Sequence, residues 1–132
     1  MPPHATRIAT RTVLIVEDDA SVREICAEVL ADEGYVVHAA ADGIAGLAQL
    51  DYSPDVIVLD LVMPRMDGWE FLRRLREVAG HEQTPVLLLT ATASSGASLA
   101  GAQAVLRKPF VVEALLRQVA DLARRSELAG RD

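Results

Sequence analysis

Five short apolar runs, separated by longer amphipathic stretches, constrain the fold of this chain more than any other feature of its sequence. The runs occupy residues 13–16, 35–37, 56–59, 86–89 and, more weakly, 104–106. Runs of about four to eight residues that are rich in Val, Ile and Leu are typical of strands buried on both faces. We therefore predict five strands, of which the first, third and fourth are the most apolar.

Apolar residues recur at helical spacing between these runs. The recurring positions are Val22, Ile25, Cys26, Val29 and Leu30 in the first interval, Ile44, Leu47 and Ala48 in the second, Phe71, Leu72, Leu75 and Val78 in the third, and Val112, Leu115, Leu116 and Val119 after the fifth run. Each set places its members on one helix face and so predicts a helix with a buried stripe. Residues 91–98 are small and polar instead, which predicts a shortened fourth helix.

The alternation of strands and helices predicts an α/β fold whose parallel strands are joined by right-handed crossovers. The most apolar runs should be central, and the second and fifth runs should lie at the edges. The order 2-1-3-4-5 meets this condition and is that of the flavodoxin-like (βα)5 three-layer sandwich. We expect one domain over residues 12–125, between flexible tails at residues 1–11 and 126–132.

The acidic composition restricts the partners that this chain is expected to have. Its formal net charge is −6, whereas a protein that binds the nucleic-acid backbone is normally basic, so direct nucleic-acid binding is not expected. No apolar run approaches the roughly 20 residues that span a membrane, so no membrane association is expected. The single cysteine, Cys26, excludes a disulfide framework and fits a cytoplasmic location.

Polar side chains follow four of the five predicted strands, at the carboxyl edge where open α/β sheets form their sites. They are Glu17, Asp18 and Asp19 after the first strand, Asp60 after the third, Thr90 at the end of the fourth, and Arg107 and Lys108, before Pro109, after the fifth. Clustered carboxylates repel one another, so at least one of their pKa values should rise unless a divalent cation lies between them. Oxygen ligands alone favour a hard cation such as Mg²⁺.

The same set suits phosphoryl transfer, which depends on positioning and charge stabilisation. Asp60 is a carboxylate nucleophile of the kind that forms an aspartyl phosphate, Lys108 is a mobile point charge for a phosphoryl oxygen, and Thr90 donates a hydroxyl. Each residue alone also has a structural interpretation, with Asp19 as a helix cap, Asp60 as a turn residue and Lys108 as a solvated strand end. Their joint occurrence at one edge favours the chemical interpretation.

Four segments of the chain resemble the receiver family of response regulators in two-component signalling, which includes the single-domain chemotaxis response regulator. They are residues 13–19, 58–68, 88–91 and 107–110, of which the Asp-x-x-Met-Pro-x-Met-Asp-Gly stretch beginning at Asp60 is the most specific. The resemblance implies that Asp60 is the phosphoacceptor and that Thr90 is the switch hydroxyl that moves toward the phosphoryl group. It also implies that Lys108 pairs with that group and precedes a cis peptide bond to Pro109.

The resemblance further implies a Mg²⁺ site formed by Glu17, Asp18, Asp60 and the backbone carbonyl of Val62. Asp18 binds the ion directly and Glu17 through water in this interpretation, with Asp19 outside the pair. The implied protein is a signalling switch rather than a conventional enzyme, and it catalyses its own phosphorylation and dephosphorylation. Its phosphoryl donor is a histidine kinase or a His-containing phosphotransfer protein. Because the chain ends soon after the last helix, we expect its output to pass through protein–protein contacts.

Departures from the family pattern bear on signalling. Relatives often have Tyr or Phe three residues before the lysine, and this aromatic ring turns inward when the threonine moves. This chain has Val105 at that position, so it lacks the ring movement. Lys108 follows Thr90 by 18 positions, about one helical turn fewer than the family pattern, which alters the expected output face. Val62 and Thr92 hold positions that can orient the attacking water, and an apolar Val62 predicts slow self-dephosphorylation.

Two alternative functions remain open. A hydrolytic phosphatase of the haloacid-dehalogenase type also uses an aspartate after a strand, but it requires a second aspartate two residues later, where this chain has Val62. A degenerate receiver that serves only as a docking module is favoured by Val105 and by the short fourth helix. The intact Asp60, Thr90 and Lys108 count against that alternative.

Overall fold

The computed structural model describes residues 10–91 and 101–129. The predicted shortened fourth helix and most of the predicted N-terminal tail lie outside these ranges, so both stay predictions. The domain boundary at residue 125 is also a prediction, although the last helix continues to Ala129 and so passes it.

The described strands form one parallel sheet in the order β2-β1-β3-β4-β5, which confirms the predicted topology. Their bounds are β1 (Thr12–Val16), β2 (Val36–Ala40), β3 (Val56–Asp60), β4 (Val86–Thr90) and β5 (Ala104–Arg107). Every residue of β3 and β4 is buried, whereas β2 and β5 are partly exposed at the edges. The most apolar runs are therefore central because both of their faces are covered.

The described helices cover the two faces of this sheet. Their bounds are α1 (Ala20–Asp32), α2 (Gly43–Ala48), which continues as a 3-10 turn (Gln49–Tyr52), α3 (Gly68–Leu75) and α4 (Val112–Ala129). Asp19, Asp42 and Asp67 cap the first three helices by accepting hydrogen bonds from backbone N–H groups of the first turn. Within the described ranges, no helix has the length and apolar character needed to cross a membrane.

Side-chain alternation along the strands divides the core into two clusters, one on each face of the sheet. In β1, Leu14 and Val16 belong to the cluster that contains Phe71 of α3. Val13 and Ile15 of the same strand belong to the cluster that contains residues of α1 and α4. Successive side chains of a strand point to opposite faces, so the two clusters give the helix–sheet–helix layering that the sequence predicts.

The predicted buried faces of α1 and α2 are each wrong at one isoleucine. Ile44 of α2 is 57% exposed. Cys26 and Leu30 are buried as predicted, but the side chain of Ile25 is 51% exposed. Successive residues of an α-helix are about 100° apart around its axis, and the buried face of α1 is centred near Cys26. Ile25 therefore lies at the margin of that face, where its side chain is exposed to solvent. Val78 lies beyond the end of α3 at Leu75, yet it still packs against the core.

Candidate functional site

The segment between β1 and α1 carries three consecutive carboxylates, and we call residues 17–19 the acidic loop. The side chain of Glu17 is fully buried, whereas Asp18 and Asp19 are exposed. Asp19 Oδ1 accepts hydrogen bonds from the N–H groups of Ser21 at 2.9 Å and Val22 at 3.2 Å, so its interpretation as a helix cap is confirmed. The backbone N–H of Asp19 donates to Glu17 Oε2 at 3.1 Å and thereby fixes the buried carboxylate.

Asp60 is the last residue of β3, and its side chain is 5% exposed. Its Oδ1 atom accepts a hydrogen bond from the N–H of Val62 at 3.3 Å. The chain then turns back so closely that a Cβ atom on Gly68 would lie 2.8 Å from both the Asp60 carbonyl oxygen and the Leu61 Cα atom. Only glycine fits this approach without displacing backbone atoms, which explains its place at the end of the specific stretch.

Lys108, just after β5, enters the same site. Its Nζ atom lies 2.8 Å from Glu17 Oε1 and 3.5 Å from Asp60 Oδ1. Its backbone N–H donates to the Thr90 carbonyl at 2.7 Å, which ties the end of β5 to the end of β4. The peptide bond between Lys108 and Pro109 is cis, as predicted.

Thr90 ends β4 at the same edge of the sheet, and it is buried. Leu89 is the partner of Asp60 in the pairing of β3 with β4, so Thr90 lies one residue further along the neighbouring strand. Val62 has a side chain that is 68% exposed. Val105 is partly buried and packs against the cluster that contains Phe71.

Glu17, Asp18 and Asp60 each offer a carboxylate oxygen, and these atoms lie within 4.8 Å of one another. Burial, followed by the hydrogen bond and negative charge of Glu17, raises the pKa of Asp60 to about 7, although Lys108 acts in the opposite direction. Burial acts to lower the pKa of Lys108, but Glu17 and Asp60 outweigh it, so the net pKa is raised. The cluster thus holds more negative charge than one ammonium group neutralises.

This donor set fits a hard divalent cation. All three side-chain donors are carboxylate oxygens, which Mg²⁺ prefers over nitrogen or sulfur ligands. A cation between the carboxylates would offset the burial and the negative charge of Glu17, both of which raise the pKa of Asp60. The structure therefore brings Glu17, Asp18, Asp60 and Lys108 together, while their roles and that of the Val62 carbonyl remain predictions.

Sequence reasoning missed one residue beside the acidic loop. Arg23 of α1 donates from Nη1 to the carbonyl oxygen of Glu17 at 2.9 Å. Its position, four residues after Asp19, resembles that of any exposed arginine in a first helical turn. No periodicity signal separates a side chain that folds back onto a loop from one that extends into solvent.

The chain is similar to a known protein family over most of its length. Residues 13–120 match the family model described as "Response regulator receiver domain". Response regulator MprA of Mycobacterium ulcerans (strain Agy99) is 40% identical over 121 residues, which cover 88% of this chain and 51% of the relative. MprA of Mycobacterium avium (strain 104) is 40% identical over 120 residues, with coverage of 87% and 52%. The chain thus spans about half the length of the curated relatives it matches.

Solved structures of the same architecture also match. The chemotaxis protein CheY4 of Vibrio cholerae has 37% identity and a TM-score of 0.82, and the match covers 86% of this chain and 99% of CheY4. A CheY-like response regulator receiver domain protein from Methanospirillum hungatei JF-1 has 27% identity and a TM-score of 0.83, with coverage of 92% and 99%. These similarities extend over nearly all of the predicted domain.

Proposed function

Because the chain belongs to the response regulator receiver family of two-component systems, we propose that Asp60 accepts a phosphoryl group in a magnesium-dependent reaction. The proposal is carried by the convergence of Lys108 Nζ with Glu17 Oε1 at 2.8 Å and Asp60 Oδ1 at 3.5 Å, at the edge where Asp18 adds a third carboxylate. These groups come from the ends of three strands, so their proximity depends on the fold.

Asp60 is the nucleophile in this proposal. A carboxylate oxygen of Asp60 attacks phosphorus, the new O–P bond forms, and the P–N bond to the imidazole of a phosphohistidine donor breaks with the electron pair going to the nitrogen. The pKa of about 7 means that Asp60 is only partly ionised near neutral pH when no cation is bound. The ionised form is the nucleophile, so binding of a cation favours the reactive state.

Magnesium would be held by Asp18, Asp60 and the Val62 carbonyl, with Glu17 acting through water. When bound, the ion neutralises carboxylate charge and binds a phosphoryl oxygen. Lys108 then pairs with a second phosphoryl oxygen as a compact positive charge. Its present distances of 2.8 Å to Glu17 and 3.5 Å to Asp60 support this role, because a phosphoryl group on Asp60 lies within its reach.

Phosphorylation is proposed to switch the contacts of the domain with other proteins. Thr90, buried at the end of β4, would turn its hydroxyl toward the phosphoryl group. Val105 lies on the adjacent strand β5 and has two methyl groups in place of an aromatic ring. We therefore propose that the side chain of Val105 moves less, when Thr90 turns, than the aromatic ring of a relative would. The donor partner is a histidine kinase or a His-containing phosphotransfer protein.

The two alternative functions are less well supported. A phosphatase of the haloacid-dehalogenase type lacks its acid/base group here, because Val62 holds that position and its side chain is 68% exposed. A docking module without phosphorylation would need neither a buried Glu17 nor an ion pair between Lys108 and that carboxylate. Burying these two charges costs desolvation free energy even though they are paired, and a docking surface alone does not require that cost.

The decisive experiment uses a small-molecule phosphodonor with Mg²⁺ and detects the product by intact-protein mass spectrometry. We expect the wild-type chain to gain one phosphoryl group, and Asp60→Asn to gain none. Asp51→Asn is the matched control, because Asp51 is exposed in the 3-10 turn and the substitution makes the same chemical change. Steady donor turnover without a stable adduct would indicate the phosphatase, and the absence of any reaction would indicate the docking module.

A further inference from the structure

We propose that Arg23 is a positioning residue that sets the direction of the Asp18 carboxylate and thereby strengthens Mg²⁺ binding. This inference rests on the proposed function, since it concerns the same site. It extends that function to a residue of α1 that offers no ligand atom to the ion.

The contacts of Arg23 are with the backbone of the acidic loop. Its Nη1 atom lies 2.9 Å from the carbonyl oxygen of Glu17 and 3.5 Å from that of Asp18. These two carbonyls belong to the peptide planes on either side of the Asp18 Cα atom. One guanidinium nitrogen therefore restrains both planes, and with them the direction in which the Asp18 side chain leaves the backbone.

Asp18 depends on such restraint more than its neighbours do. The Glu17 carboxylate is buried and is held by Lys108 and by the N–H of Asp19. The Asp60 carboxylate is buried at the end of β3. Asp18 is exposed at the surface, and apart from its contact with the Asp60 carboxyl its direction depends on the backbone that carries it. Fixing that direction in advance lowers the entropy lost when the carboxylate binds an ion.

Arg23 contributes this restraint without neutralising the carboxylates. Among the residues that the structure describes, its guanidinium forms no ion pair with any Asp or Glu, although three acidic side chains follow one another in the loop beside it. Its donors are directed to carbonyl oxygens instead. Arg23 therefore does not compete with a cation for the carboxylate of Asp18.

Charge and geometry predict opposite effects when Arg23 is replaced. Removal of a positive charge beside an acidic cluster should by itself strengthen the binding of a cation. Loss of the restraint on Asp18 should weaken it, since partners that orient metal ligands typically change affinity by about 10- to 100-fold. Weaker Mg²⁺ binding by Arg23→Met is therefore a signature of positioning that electrostatics alone does not produce.

The test measures Mg²⁺ affinity by calorimetry on the folded, unphosphorylated protein, together with the melting temperature in EDTA. We expect Arg23→Met to weaken binding about tenfold and Arg23→Lys to recover part of that loss. Arg117→Met, at an exposed position of α4, is the matched control and should bind as the wild type does. Asp18→Asn tests the metal site itself and should bind much more weakly.

Each outcome decides between defined possibilities. Unchanged Mg²⁺ affinity in Arg23→Met, with or without a lower melting temperature, would overturn the inference and leave Arg23 with a structural role, while the proposed function stands. Equal losses in Arg23→Met and Arg117→Met would also overturn it. Equal affinity of the wild type and Asp18→Asn, or no binding by either, would overturn both this inference and the proposed metal site.

Discussion

Lys108 Nζ lies 2.8 Å from Oε1 of Glu17, a carboxylate that is fully buried at the end of β1. The two residues are 91 positions apart in the chain, and the order of the sheet brings them together. A buried carboxylate without its partner is strongly destabilising, so this ion pair links the stability of the fold to the chemistry of the site.

Lys108→Met should therefore lower the free energy of unfolding, because Glu17 is left buried without its cation. We expect a loss of about 2 to 3 kcal/mol, below the ~3–5 kcal/mol for a fully buried pair because Lys108 keeps some exposure. Urea denaturation in EDTA measures the effect. The double variant Glu17→Gln/Lys108→Met should recover part of the loss, and strictly additive effects would show that the two side chains are not coupled.

The raised pKa of Asp60 predicts a pH dependence of stability when Mg²⁺ is absent. Its pKa is about 7 in the folded protein, against an ordinary value of 3.8. Between these values the folded state holds a proton that the unfolded state has lost, so the free energy of unfolding should fall as the pH rises through this window. We expect a change on the order of 2 kcal/mol, about half of what ~1.4 kcal/mol per pKa unit gives, because solvent screening reduces the effect. Urea denaturation in EDTA measures it.

Asp60→Asn is the control for this pH dependence. It retains the size of the side chain but removes the titrating group, so its stability should vary less between the two pH limits than that of the wild type. If the free energy of unfolding of Asp60→Asn depends on pH as steeply as that of the wild type, the effect belongs to other carboxylates.

Gly68→Ala should destabilise the loop that follows Asp60. The added Cβ atom would meet the Asp60 carbonyl oxygen and the Leu61 Cα atom at 2.8 Å, and neither can move without shifting the end of β3. We expect a loss of about 1 to 3 kcal/mol, as for other overpacked positions, measured by chemical denaturation. The phosphodonor reaction should slow as well, and wild-type values for both would contradict the close approach.

Val62→Asn should shorten the lifetime of the acyl phosphate. The Val62 side chain is 68% exposed, so its replacement should change stability by less than about 0.5 kcal/mol. An amide at this position can hydrogen-bond a water molecule, whereas the valine can neither donate nor accept. Mass spectrometry of the adduct over time, after removal of the phosphodonor, gives the rate of phosphate loss.

Val36→Asn is the matched control for lifetime. Val36 is also exposed, at 45%, but it begins β2 at the opposite end of the sheet from the site. We expect this variant to lose phosphate at the wild-type rate. The hypothesis fails if Val62→Asn retains its phosphate as long as the wild type or longer.

Much of the site could be predicted because it depends on strand ends. The apolar runs define the strands, and parallel strands place their carboxyl ends at one edge, so Asp60, Glu17 and Lys108 had to lie near one another once the order 2-1-3-4-5 was inferred. The helix-capping interpretation of Asp19 was equally accessible, because capping is a local interaction between neighbouring residues.

The sequence alone is therefore enough to predict the alternation of elements, the topology of the sheet and the side chains at its carboxyl edge. Other features emerge only when the elements pack. Lys108 lies closer to Glu17 than to Asp60. Ile25 faces solvent, and Arg23 folds back onto the acidic loop. Periodicity reports only which face of an element is apolar. The partner of a particular side chain depends on distances of a few ångströms, which arise when separate elements pack together.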